Sequence, residues 1–126
     1  VKKLLPAFAV DLVLVIIFCA IGRRSHEEAN ALGGLVHTAW PFVAGLIVGW
    51  AAVAAATRGA FDGSSLVPVG IAAWAGTLVG GMVLRVISGQ GTAVTFIIVA
   101  GVVLAIFLIG WRIAATVLAR RRAATR

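Results

Sequence analysis

The chain has 126 residues and a mass of 13.0 kDa; hydrophobic residues make up 62% of it and charged residues 12%, with 15 glycines besides. Soluble domains carry roughly 45–50% apolar residues and about 25% charged ones, so a soluble globular domain is excluded for want of polar surface to cover such a core, and disorder is excluded by the same figures. The net charge of +7 and pI of about 11.7 would point to nucleic acid in a soluble protein, but here the basic residues punctuate apolar segments, so the expected partner is the lipid bilayer and no nucleic acid.

A helix crosses a bilayer core with about 20 apolar residues. The first such run covers about 4–22. Lys2 and Lys3 precede it as they would a leader peptide. Asp11 interrupts it, however, it outruns a usual leader core, and no clear small-x-small site follows, so a span is expected. Cys19 lies within it, the one cysteine, unable to form an internal disulfide and without a basic sequence neighbour to activate it. The next runs cover about 36–56, 67–87 and 93–113, and a basic tail follows at 114–126. The breaks at 23–34, 57–65 and 88–92 are short enough for antiparallel hairpins. The length allows one domain, 1–126. The expected fold is all-α, a bundle of four transmembrane helices.

Four spans put both termini and the second connection on one side. That side holds Lys2, Lys3, Arg58, Arg112, Arg120, Arg121, Arg122 and Arg126, against Arg23, Arg24 and Arg85 on the other, a tally of 8 to 3. The bias predicts cytoplasmic termini in an inner or plasma membrane. Pro41 and Pro68 are expected in the first turn of their spans, where a missing N–H costs little. Trp40 and Trp111 are placed at interfaces, whereas Trp50 and Trp74 sit deeper and need acceptors for their indole N–H groups.

Gly45 and Gly49 form a GxxxG in the second span, and Gly76 and Gly80 another in the third. Such pairs let backbones approach closely, here within the bundle or between two copies. A weak echo between Thr38-Ala39-Trp40-Pro41-Phe42 and Thr92-Ala93-Val94-Thr95-Phe96 fits either duplication or coincidence. In the first connection His26-Glu27 opens an HExxH motif, which fails because position 30 is Asn30. Ser25 and Glu28 match a capping box instead. Gly89-Gln90-Gly91 lacks the third glycine of a phosphate loop and reads as a tight turn. His37, at the outer mouth of the second span, reads as solvated or as a hydrogen-bond partner, with a proton relay as its sharper reading. Arg23, Arg24, His26, His37 and Trp40 are thus the outer-face candidates. No serine elbow, metal-ligand cluster or carboxylate pair is present, so neither catalysis nor a metal or cofactor is expected.

The order of certain residues resembles a bacterial and archaeal family of membrane proteins, domain of unknown function 3054. They are Asp11, Ile21-Gly22-Arg23-Arg24-Ser25-His26, Thr38-Ala39-Trp40-Pro41-Phe42 with Gly45, Gly49 and Trp50, then Trp74, Gly81, Arg85, Gly91-Thr92-Ala93 and Gly110-Trp111-Arg112. The resemblance implies a small multi-span protein and carries no activity. Small multidrug exporters share the span count and an early acidic residue; this chain has no tyrosine, which lines their site, and the likeness is one of fold only.

The polar residues expected within the membrane are Asp11, Arg112, Arg85, Thr77, Trp50 and Trp74. Asp11 stands eight residues after Lys3 and Arg112 eight before Arg120 (11 − 3 and 120 − 112), so the two share a depth and can pair across the first and last spans. The alternative has Arg112 reaching lipid phosphates and Asp11 protonated or bonded to Thr77, Trp50 or Trp74. Arg85 is expected near the outer surface with Glu27 or Glu28 as its partner. Intramembrane charges mark ion or solute pathways by default, which favours a small-solute or ion transporter. A non-catalytic structural or accessory subunit is the alternative, and either reading leaves room for a homo-oligomer or a membrane-complex partner.

Overall fold

The computed structural model describes residues 4–22 and 31–125. Those residues form four helices long and apolar enough to cross a membrane, and no strand occurs among them. We label them α1 (Leu4–Gly22), α2 (Ala31–Thr57), α3 (Leu66–Ile87) and α4 (Val94–Ala124). The capping-box pair Ser25 and Glu28, with Arg23, Arg24 and His26, lies outside the described residues. Many large apolar side chains point outward, among them Val13, Val48, Val79, Val83, Ile98 and Ile106. Such a surface is satisfied by hydrocarbon rather than water, and the protein is a multi-pass helical membrane protein.

Two helices run beyond their expected bounds. α2 starts at Ala31 rather than near position 36, so Pro41 lies well inside the helix, not in its first turn. A proline there removes the N–H that would bond the carbonyl four residues back. That carbonyl belongs to His37, and the Gln90 side chain donates to it from the connection between α3 and α4 (3.4 Å). α4 continues to Ala124 through the stretch expected to be a tail, because Ala, Leu and Arg are good helix formers. Its 31 residues extend about 46 Å at 1.5 Å each, past a core of about 30 Å, and residues 113–125 are exposed.

α3 is irregular at its start and middle. Val67 is extended (φ −121°, ψ 125°), so the regular helix begins at Pro68, and π-helical turns occupy Leu66–Gly70 and Gly76–Gly80. A third π-helical turn, Ala105–Ile109, interrupts α4. α2 ends through left-handed Arg58 and Gly59 (φ 54° and 81°), with the Gly59 N–H returning to the Ala54 carbonyl (2.9 Å).

The tightest contact is between α2 and α3. A Cβ on Gly45 or Gly49 would run into the carbonyl oxygens of Gly76 and Ala72 respectively. One on Gly76 would lie 2.8 Å from the Gly49 Cα, and one on Gly80 2.8 Å from the Gly45 Cα. Backbone touches backbone here, so dispersion between main chains replaces the side-chain layer. α1 and α4 close the other side, and Val15, Phe42, Leu46, Val69, Ala73, Ala100, Leu104 and Leu108 fill the centre. Gly49→Leu and Gly76→Leu should each destabilise the bundle by at least about 1–3 kcal/mol, the usual range for overpacking, measured as thermal unfolding in detergent. Gly110→Ala, where a Cβ meets nothing within 4 Å, should leave stability unchanged or raise it.

Candidate functional site: a buried ion pair

Near the end of the bundle that carries the termini, Asp11 of α1 faces Arg112 of α4. Their contact is bidentate: Nη1 donates to Oδ1 and Nη2 to Oδ2, each at 2.8 Å. Both side chains have 0% exposure. A fork-on-carboxylate arrangement is the geometry in which a guanidinium binds an acid most strongly.

The surroundings complete the pair. The Trp50 indole on α2 donates to Oδ2 and the Trp111 indole on α4 donates to Oδ1, both at 2.9 Å. A carboxylate offers about four lone-pair sites, and Asp11 receives four donors. On the cation, Nη1 also donates to the Leu108 carbonyl (2.8 Å) and Nη2 to the Gly63 carbonyl (2.9 Å). Four of the five guanidinium N–H groups are thereby engaged, and Nε has no protein partner among the described residues.

Local structure explains each placement. Leu108 belongs to the π-helical turn of α4. Gly63 is presented by a turn in which Asp62 Oδ1 accepts from the Ser64 N–H (2.9 Å) and hydroxyl (2.8 Å). The guanidinium carbon lies over the Trp111 ring, 4.6 Å from its centroid, where the π-face favours a cation. Gly70 of α3 lets the arginine stem pass, since a Cβ there would sit 2.8 Å from the Arg112 Cδ. All four helices and the 58–65 connection meet around one charge pair.

The structure brings Asp11, Trp50 and Arg112 together and leaves the other candidates apart. Thr77 is fully buried, but its hydroxyl has no partner among the described residues and does not reach Asp11. Trp74 donates to the Gly101 carbonyl (2.8 Å), a bond between α3 and α4. Arg112 does not extend to lipid phosphates. Trp111, read from sequence as an interfacial ring, is part of the pair's shell. Arg85 lies at the opposite end, where Nε donates to the Gly91 carbonyl (2.8 Å), Nη1 donates to Gln90 Oε1 (3.1 Å), and the guanidinium stacks on Phe96 (4.9 Å). Glu27 and Glu28 lie outside the described residues. His37 and Trp40 also sit at that end, with Trp40 40% exposed.

Sequence reasoning did not find Trp111, Gly63, Leu108 or Gly70. Trp111 had a signal: an arginine fork uses two of the four acceptor sites on a carboxylate, and Trp111 is the indole adjacent to that arginine. The two main-chain acceptors and Gly70 depend on the fold alone. No group of His, Cys, Asp and Glu suited to a metal occurs among the described residues.

Trp111→Phe keeps the ring and deletes one N–H to a charged acceptor, so it should cost about 1.5–3 kcal/mol in thermal or denaturant unfolding. Trp40→Phe should cost nothing measurable.

A family model described as a protein of unknown function, DUF3054, matches residues 8–115. No curated protein and no solved structure matches the chain. The match runs from α1 into the exposed part of α4 and includes Asp11, Trp50, Trp111 and Arg112, and the chain belongs to the DUF3054 family.

Proposed function

We propose that the protein is a non-catalytic structural or accessory subunit of a membrane assembly, partnered by a second copy or another membrane protein. It works without a cofactor, a metal or nucleic acid. The observation that carries this reading is the closure of the ion pair: Asp11 and Arg112 both have 0% exposure, and the carboxylate is saturated with donors. A relay or substrate-binding charge must exchange its proton or ligand with an aqueous path, whereas this pair faces protein. Its chemistry is that of a fastener between the first and last helices. Transport, the other reading, is supported by the residue types and not by their arrangement. The 8 to 3 cation tally supports cytoplasmic termini in an inner or plasma membrane.

Cross-linking in native membranes should trap the protein in a discrete species larger than the monomer; recovery of the monomer alone would contradict the accessory role. In vesicles loaded with a pH-sensitive dye, the wild type and Asp11→Asn should leak protons no faster than protein-free vesicles. A flux that Asp11→Asn abolishes would overturn the reading in favour of transport. A reporter fused after Arg126 should be active only in its cytoplasmic form.

A further inference from the structure

At the end of the bundle away from the ion pair, a cavity of about 500 Å³ lies between α1, α2 and the first half of α4. Its size falls within the roughly 300–1,000 Å³ range of small-molecule sites. The walls are mostly apolar, with Phe18, Phe42, Val99 and Val103 among them, and His37, Thr38, Arg85 and Gln90 supply the polar part of the lining. Ile21 and Val99, which also line it, are 54% and 56% exposed. The cavity therefore opens on the lipid-facing surface of the bundle.

Arg85 is the one arginine or lysine at this end among the described residues, and it has no carboxylate partner among them. It is nevertheless held in place. Gly91 holds Nε, Gln90 holds Nη1, and Phe96 supports the plane of the guanidinium. Gln90 is anchored in turn on the His37 carbonyl that Pro41 leaves free. These bonds use Nε and Nη1, and Nη2 donates to no group among the described residues. Arg85 stands two residues before the end of α3, at the level where lipid phosphates lie if α3 spans the bilayer.

A fixed cation at headgroup depth, its Nη2 without a partner among the described residues, beside a mostly apolar slot open to lipid, is complementary to one kind of molecule. We propose that this cavity is a binding site for an anionic membrane lipid, whose phosphate bonds Arg85 while part of one acyl chain lies against Phe18, Phe42, Val99 and Val103. A phosphate oxygen is an ionised acceptor, so its bond from Nη2 is charge-assisted.

The test is lipid binding to the purified full chain by native mass spectrometry, with phosphatidylglycerol and phosphatidylcholine as probes. A variant with Arg120, Arg121 and Arg122 changed to Gln removes the contribution of the exposed basic helix. In that background phosphatidylglycerol should bind more tightly than phosphatidylcholine. Arg85→Gln should weaken it by about tenfold or more, the scale of a lost charge-assisted hydrogen bond. Val99→Trp, at a position 56% exposed, should weaken both lipids by filling the slot. Inorganic phosphate at millimolar concentration should not displace the lipid. Equal binding of the two lipids, or a preference that survives Arg85→Gln, would overturn the proposal. Full displacement by inorganic phosphate would also overturn it, in favour of a free-anion site. If Arg85→Gln does not fold, retention of lipid binding by Val99→Trp is the result that contradicts it.

Discussion

Placing a charged side chain at the middle of a membrane helix costs roughly 2.5–3.5 kcal/mol on insertion scales, and α1 and α4 each carry such a charge away from water. Asp11 and Arg112 offset that cost against each other, but only with their fork aligned and their remaining polar atoms bonded, since a buried pair with loose ends loses more in desolvation than it gains in attraction. The rest of the site meets this requirement at every polar atom of the pair except Arg112 Nε, which has no partner among the described residues. Two indoles complete the carboxylate, two carbonyls take the outer N–H groups of the guanidinium, and Gly70 clears the path of the arginine stem. Because those groups come from every helix and from the 58–65 connection, the charge pair constrains how the whole bundle closes.

The two halves of the bundle use different means. α2 and α3 are joined by missing side chains: glycines bring main chains together and need no polar group. α1 and α4 meet through the pair, and the Trp74 bond to the Gly101 carbonyl adds a single polar tie between α3 and α4. The glycine contact is non-directional and fixes how near the helices lie. The ion pair is directional and fixes their register, because a shift of one residue along α4 would turn Arg112 about 100° away from Asp11.

Much of this was legible in the sequence. Four apolar runs, their breaks and the GxxxG pairs follow from composition and spacing, and the shared depth of Asp11 and Arg112 follows from counting residues to the flanking cations. What was not legible depends on where main-chain atoms fall. The Gly63 and Leu108 carbonyls carry no residue-type signal. The polar break at 23–34 puts Pro41 near a helix start; with α2 starting at Ala31, its effect is to free the His37 carbonyl for Gln90. An apolar run ending near position 113 puts Trp111 at the interface, whereas the helix continues to Ala124.

The central claim is that Asp11 and Arg112 act as one buried unit that holds the first and last helices together. A double-mutant cycle of Asp11→Asn and Arg112→Gln, read as unfolding free energy in detergent, tests it most directly. Each single change strands a charge and should cost about 3–5 kcal/mol, while the double variant should lose clearly less than the sum of the two. Strict additivity of the two losses would contradict the account.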